Sequence, residues 1–378
     1  MVTIAFTGGG TGGHIYPGLA IIEGLKERLA GQEYRLLWIG SNAGMDRSIV
    51  EGAGLEFFGI PAGKLRRYLS LKTIPDIFKV VAGFFTSRSI LKEQGVSLLF
   101  SKGGFVSVPP CAAAASLGIP VFTHESDFSP GLATRLNLRF VRKTKGRVFI
   151  AYADTAKYLA KSRLAKEQVI VSGNPVRSAF RSADPAKGRA FLGLGKDEKA
   201  LLVLGGSQGA RELNTLVRGA ISDLRRHYTV VHQYGPAQDW DLPKAQGYIP
   251  LPYIKEEMPH VLAAAELVLG RSGAGTVWES AALSKPMVLI PLCGSGTRGD
   301  QIENARFFER QGAALVLLGD EAQPKNLSAL INVLAENPSR REAMAAAANR
   351  IGSLDGTAII SDSINNQLKH FFTVPLAK

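Results

Sequence analysis

Residues 2–14 read VTIAFTGGGTGGH, and residues 200–211 read ALLVLGGSQGAR. Each stretch is a short apolar run, then a cluster of glycines, then the start of a helical pattern. A strand that ends in glycines and turns at once into a helix opens a doubly wound parallel sheet. Glycine serves there because it accepts positive φ and lets backbone N–H groups approach an anion at a helix N-terminus. Two such openings in 378 residues predict an α/β chain of two Rossmann-like domains.

Outward from these openings, apolar strands alternate with helix-like stretches. Strands are expected at 35–40, 98–101, 121–124 and 148–151 in the first half, and at 229–234, 267–270, 287–291 and 314–318 in the second. Gly173-Asn174-Pro175 has turn chemistry, which sets domains at 1–172 and 173–355. The remaining segment, 356–378, reads as a helix whose Ile359, Ile360, Ile364 and Leu368 are spaced to pack across the domains. Two such sheets facing each other would leave a cleft lined by their carboxyl ends, where ligands of open α/β sheets bind.

Composition narrows the classes. The apolar share is 46%, so disorder is excluded, and no apolar run approaches the roughly 18 residues of a spanning helix. The N-terminus reads as a strand and not as an export signal. Cys111 and Cys293 are far apart with no CxxC partner, which disfavours a disulfide framework or zinc site and fits a reducing cytoplasm. Of 41 glycines, 16 fall in five strand-end clusters, at 8–13, 103–104, 205–209, 270–275 and 294–299. Their excess therefore marks ligand-facing loops, not flexibility. The net charge of +13 is lopsided: residues 1–172 hold 22 Lys and Arg against 12 Asp and Glu, residues 173–378 hold 23 against 20. A local surplus points to an anionic partner, nucleic acid or an acidic membrane surface; a uniformly basic proteome is the plain alternative.

The loops carry the chemistry. Gly8, Gly10 and Gly13 match GxGxxG, yet the second strand ends in Trp38-Ile39-Gly40-Ser41-Asn42 without the acid a nicotinamide enzyme uses on its ribose. His14 follows at the helix start, as a general base or as a plain capping residue. Lys102-Gly103-Gly104-Phe105 and His124-Glu125-Ser126-Asp127 occupy further strand ends. The His–Glu neighbours either position a substrate or form a structural pair. In the second half, Gly205 to Gly209 aims amides at an anion, and Gly270 to Glu279 joins a glycine loop to a helix start with a carboxylate suited to a vicinal diol. Residues 296–304 supply amides and hydroxyls suited to a sugar.

In this order, GGGTGGHIYPGLA, SKGGFVSVP, HESDFSPGLA, SGNPVR, LGGSQGARELN, RSGAGTVWESAALSKP and GDQIENA resemble the MurG family over residues 2–320. These are transferases of bacterial cell-wall synthesis that move N-acetylglucosamine (GlcNAc) from UDP-GlcNAc to a lipid-linked muramyl-pentapeptide. The resemblance implies a GT-B fold whose last helix crosses back to the first domain, and a second domain that binds UDP-GlcNAc. By matched position, Ser207 would contact the diphosphate, with Ala274, Gly275, Thr276 and Val277 along the nucleotide and Ile254 near the uracil. Glu279 would hold the ribose, Gln301 the GlcNAc hydroxyls, and Arg177 would sit near the nucleotide-sugar. Thr11, Gly12 and Gly13 would meet the sugar and acceptor phosphates, and His14 matches the family's candidate base, with Glu125 nearby. The commoner pattern HEQN is HESD here, so Asp127 stands where an amide usually touches the sugar; it accepts hydrogen bonds but cannot donate them.

The implied reaction is a single inverting displacement on the acceptor's C4 hydroxyl, with UDP stabilised by helix N-termini and loop amides and with no cofactor or required metal. A muramyl-lipid acceptor also gives the basic half a partner. Residues 61–92 hold Lys64, Arg66, Arg67, Lys72, Lys79, Arg88 and Lys92 with one acid, Asp76, among apolar residues that take helical spacing from Ile77. A second run, residues 135–147, holds six Lys and Arg and no acid. This composition fits a peripheral protein on the anionic cytoplasmic face of the cell membrane; the alternative is an amphipathic core helix. Nucleic acid is not expected, because interleaved aromatic platforms are lacking. A glycolipid glucosyltransferase or a UDP-GlcNAc 2-epimerase would share the sugar-nucleotide loops but not the full order of motifs.

Overall fold

The computed structural model describes residues 1–10, 12–43, 46–63, 73–206, 209–236, 243, 245–294 and 297–372, with only the backbone described at 73–75. The chain forms two compact units: Met1–Arg177 with Asp355–Lys378, and Ser178–Leu354.

In the first unit the strands are β1 (Val2–Thr7), β2 (Tyr34–Ser41), β3 (Glu56–Ile60), β4 (Val96–Ser101), β5 (Val121–Glu125), β6 (Val148–Ile150) and β7 (Val169–Val171). They pair in parallel in the order β3-β2-β1-β4-β5-β6-β7. The second unit contains β8 (Ala200–Leu204), β9 (Thr229–Gln233), β10 (Tyr248–Leu251), β11 (Leu267–Gly270), β12 (Met287–Leu289) and β13 (Ala314–Val316). These are also all parallel, in the order β10-β9-β8-β11-β12-β13. Each sheet reverses its winding beside its opening strand, β1 or β8, which is the Rossmann order expected from the paired glycine openings.

Both faces of the first sheet are covered. Ile4, Phe6, Trp38 and Phe100 pack on one side with Ile21 and Leu25 of the helix Gly12–Arg28. Ala5, Leu37, Ile39 and Leu99 pack on the other with Ile90, Leu91 and Cys111. The helix Gly356–Phe372 closes the first face: Ile360, Ile364 and Leu368 are fully buried there, at about 1.5–3 kcal/mol each. Its Ser361 hydroxyl donates to the Ile21 carbonyl at 3.1 Å, and Gly24 leaves room for the contact, since a Cβ there would lie 2.8 Å from Ser361 Oγ.

The ends of the first unit differ from the sequence reading by a few residues. Gly173 to Arg177 stay with it because His124 Nε2–H donates to the Gly173 carbonyl at 3.0 Å and the Thr357 hydroxyl to the Val176 carbonyl at 2.9 Å. Asp355 joins because its carboxylate accepts from the Ala358 N–H at 3.0 Å and so starts the last helix. Among the described residues, no helix is long and apolar enough to cross a membrane. The helix Thr73–Glu93 does expose Ile77, Phe78, Val81 and Phe85, Phe78 to 69%.

Candidate functional site

In the first unit the carboxyl ends of β1, β4 and β5 converge on His14. The backbone leaves β1 through Gly8, Gly9 and Gly10, and the helix Gly12–Arg28 begins two residues later. Asp46 holds this turn. Its fully buried carboxylate accepts from the Gly10 N–H at 3.0 and 3.3 Å and from the Ser41 N–H at 3.3 Å. A Cβ on Gly9 would fall 2.0 Å from Asp46 Oδ2, so the carboxylate fits only against glycine. Trp38 Nε1–H donates to the Gly8 carbonyl at 3.1 Å from below. Asp46 is absent from the sequence reading: it supplies an acid near the end of β2, but buried against loop amides.

His14 is half-buried in the first turn of that helix, and its Nδ1 lies 3.3 Å from the Lys102 carbonyl. A carbonyl only accepts, so Nδ1 carries the proton and Nε2 is the basic nitrogen of the neutral ring. Two left-handed glycines shape the ring's seat, Gly103 at φ 87° and Gly104 at φ 77°; a Cβ on Gly104 would lie 2.7 Å from the Gly9 carbonyl and 3.1 Å from His14 Cδ2.

Lys102, which the sequence reading quotes without a role, is 2% exposed, and its Nζ donates to the Ser126 hydroxyl. Burial lowers its pKa to about 8, against the pull of Glu125 and Asp127. His124 is held neutral, well below the usual imidazole range, by burial and by the Lys102 charge. Glu125 braces the corner: Oε1 accepts from the Asp127 N–H at 3.1 Å and Oε2 from the Gly131 N–H at 3.0 Å. These bonds make His124 and Glu125 supports of the 124–131 turn, while Asp127 is half-buried at its tip. The Arg177 guanidinium sits 5.4 Å over the ring of Tyr16, which ties it to the His14 helix. Gly12 and Gly13 open that helix; Thr11 lies outside the described residues.

In the second unit the carboxyl ends of β8, β11 and β12 carry the glycine loops. Gly206 (φ 88°) and Gly209 (φ 74°) flank Ser207, which lies outside the described residues. Gln233 ties this loop to Ile254, its Nε2 donating to the Gly206 carbonyl at 3.4 Å and its Oε1 accepting from the Ile254 N–H at 2.9 Å. Behind them His232 bridges Asn214 Oδ1 (3.0 Å) and the Tyr248 hydroxyl (2.9 Å), and burial lowers its pKa to about 4.

The helix Ala274–Ala282 starts at Gly273, and its first intrahelical bond runs from the Val277 N–H to the Gly273 carbonyl at 3.2 Å. The N–H groups of Ala274, Gly275 and Thr276 therefore precede the ladder and form an anion-receptive helix start. Val277 is buried and Glu279 half-buried on the next turn. Arg271 fixes the neighbouring loop by donating to the Ile290 and Pro291 carbonyls, both at 3.1 Å, and to Glu212 at 2.5 Å. The Ser272 hydroxyl donates to the Gln301 carbonyl at 2.7 Å, and Gln301 Oε1 accepts from the Leu292 N–H at 3.0 Å. That bond orients Gln301, so what it offers a ligand is its amide N–H group. Each unit thus gathers its own expected residues: His14, Glu125, Asp127 and Arg177 in the first, Ile254, Ala274 to Val277, Glu279 and Gln301 in the second.

The model of the glycosyltransferase family 28 N-terminal domain matches residues 4–145, and that of its C-terminal domain matches residues 200–358. A Treponema denticola protein is 48% identical over 99% of this chain and 98% of its own length; its name is UDP-N-acetylglucosamine–N-acetylmuramyl-(pentapeptide) pyrophosphoryl-undecaprenol N-acetylglucosamine transferase. The chain belongs to the MurG group of glycosyltransferase family 28. A Treponema pallidum protein of the same name is 44% identical over 97% of this chain and 96% of its own length. The fold of this family 28 member matches the crystal structure of Acinetobacter baumannii MurG with a TM-score of 0.73 at 23% identity, over 97% of this chain and 100% of that one. The MurG resemblance and the GT-B fold expected from the motifs are therefore borne out.

Proposed function

We propose that this chain is the inverting transferase that moves GlcNAc from UDP-GlcNAc to the C4 hydroxyl of undecaprenyl-pyrophosphate-linked MurNAc-pentapeptide in peptidoglycan synthesis. The observation that carries the reading is His14, whose Nδ1–H on the Lys102 carbonyl leaves Nε2 as the base. Nε2 takes the proton of the C4 hydroxyl as its oxygen attacks the anomeric carbon from the face opposite UDP. The bond to the diphosphate breaks as the new bond forms, which converts an α-linked donor into a β1,4 product. Charge growing on the departing UDP is met by the amides at Ala274, Gly275 and Thr276. Glu279 takes the ribose hydroxyls, Gln301 donates to the sugar, and Asp127 accepts from a hydroxyl at the transfer site. Glu125 acts through the turn it braces. The names of the Treponema relatives support donor and acceptor alike.

The acceptor's lipid sets the location, peripheral on the cytoplasmic face of the bacterial membrane. The stripe Ile77, Phe78, Val81 and Phe85, with exposed Lys79, Arg88 and Lys92 on the same helix, supports docking on an anionic leaflet. Lys64, Arg66, Arg67 and Lys72 belong to the same basic stretch of sequence but lie outside the described residues. The test is UDP release from UDP-GlcNAc with and without a lipid-linked muramyl acceptor. Release that depends on the acceptor is expected; equal release without it would favour the epimerase-like alternative, and preference for UDP-glucose the glucosyltransferase one.

A further inference from the structure

The Lys102 side chain has no part in the mechanism above, yet the residue touches both halves of the first unit's site. Its carbonyl accepts the His14 Nδ1–H at 3.3 Å, and its ammonium reaches across to Ser126, between Glu125 and Asp127. It is 2% exposed and packed so closely that a Cβ on Gly8 would lie 3.1 Å from its own Cβ. A lysine in such a place carries a desolvation cost that a Met of similar length would not. Burial outweighs the two carboxylates in setting its proton affinity, so its charge works against stability. A group kept at a cost to stability at a reacting centre marks a functional demand.

That demand is charge balance. Glu125 and Asp127 put two carboxylates two residues apart on one turn, and the donor and acceptor of the proposed transfer each carry a diphosphate. His124 cannot offset them, because burial and Lys102 keep it neutral. The glycine-loop side contributes His14, and the helix Leu132–Lys143 contributes Thr134 beside Gly103, Asn137 on Ser101, and the exposed Arg135, whose Nε–H donates to the Pro130 carbonyl of the same turn at 3.0 Å. We propose that Lys102 is a positioning residue: its buried ammonium balances the Glu125–Asp127 corner and holds Ser126, while its carbonyl keeps that corner in register with the His14 ring. Summed over Lys102, Glu125 and Asp127 alone, the charge is then one negative instead of two, and Asp127 approaches a sugar beside a diphosphate with less repulsion. The activity arm of this inference rests on the transferase reading.

The test compares wild type, K102M, D127N and K102M/D127N. Counting Lys102, Glu125 and Asp127 alone, K102M raises the corner's negative charge, and adding D127N restores the wild-type value. K102M is expected to melt at or above wild type at pH 7 yet lose at least tenfold in kcat/KM, and the double variant to recover at least threefold over K102M. Wild-type activity falls as pH rises through about 8, where Lys102 loses its proton. Stability runs the other way: the folded-state pKa is depressed, so between about 8 and 10.5 the unfolded chain binds the extra proton and stability gains with pH. A purely structural lysine would move activity and melting together. D127N shifts the alkaline limb to lower pH, because Asp127 raises the Lys102 pKa. K102M with wild-type activity and an unmoved alkaline limb overturns the proposal, as does K102M that melts well below wild type with no recovery in the double variant. NMR titration of the Lys102 side chain decides the corner without any turnover: its midpoint falls in D127N if the pair is coupled, and an unmoved midpoint overturns the coupling. Wild type without acceptor-dependent UDP release would refute the transferase reading, and this titration would still stand or fall alone.

Discussion

Replacing Asp46 with alanine is expected to loosen the first glycine turn. The Ser41 N–H is buried and is accepted at 3.3 Å by Oδ2, so the loss of that bond costs about 1–3 kcal/mol. The Gly10 N–H, shared between both oxygens, is reached in part by solvent, and its loss costs about 0.5–1.5 kcal/mol. The sum centres on about 3 kcal/mol, which for a unit of this size lowers its melting temperature by about 6–12 °C. Asp46→Asn keeps one acceptor oxygen but turns an amide donor toward a second N–H, so about half that loss is expected. Scanning calorimetry with added UDP separates the transitions, because UDP is expected to raise only the second unit's. In the alanine variant kcat/KM falls with the first transition, while UDP affinity stays at the parental value. If Asp46→Ala melted within about 2 °C of the parent, the carboxylate would not be what holds the glycine turn, and the argument from its two amides would fail.

His14→Ala is expected to lower kcat by about 10²–10⁴ with little change in melting, and near-normal turnover would remove His14 as the base. Glu279→Gln keeps the shape and removes the charge, so KM for UDP-GlcNAc should rise by about tenfold at similar kcat, read from initial rates over a donor series. The second unit should lose stability on acidification. The folded-state pKa of His232 is depressed to about 4 from 6.5, so its contribution is present above about 6.5 and is lost as pH falls toward 4, by about 3 kcal/mol in pH-dependent melts. Phe78→Asp with Phe85→Asp should weaken binding to anionic vesicles at least tenfold, as read by sedimentation; unchanged binding would move the docking surface elsewhere.

The interior of each sheet could be read from sequence because its strands are continuous apolar runs. All six side chains of β1 and all five of β8 are buried, and both strands form at the expected residues. The strands absent from the reading, β3, β7 and β10, are edge strands. Their sequences EFFGI, VIV and YIPL are apolar too, but short, and only one residue of β3 and none of β7 or β10 is buried. The glycine loops were legible for a similar reason, since positive φ at Gly103, Gly104 and Gly206 leaves a compositional trace. Asp46 and Lys102 were not. Gly10 lies 36 residues from Asp46 and Ser126 lies 24 from Lys102, and only the register of β1, β2, β4 and β5 brings these pairs together. Glu125 shows the converse: its placement at a strand end was visible, but its two bonds to backbone amides were not.

The last helix gives the first unit an unusual order of assembly. Ser361 closes on Ile21 across 340 residues, and Ile360, Ile364 and Leu368 complete the same core as Phe6 and Leu25. At roughly 5–20 residues per second, the ribosome makes that helix about 20–70 s after the strand and helix it covers. Until then one face of the N-terminal sheet is only partly covered, by the helix Gly12–Arg28, whereas the second unit is contiguous and can finish first. The vectorial order of folding is thus reversed, and the nascent first half presents apolar surface for the longest time. A chain truncated before Gly356 would carry that exposed face permanently, which makes chaperone dependence and aggregation, rather than lost chemistry, its expected failure.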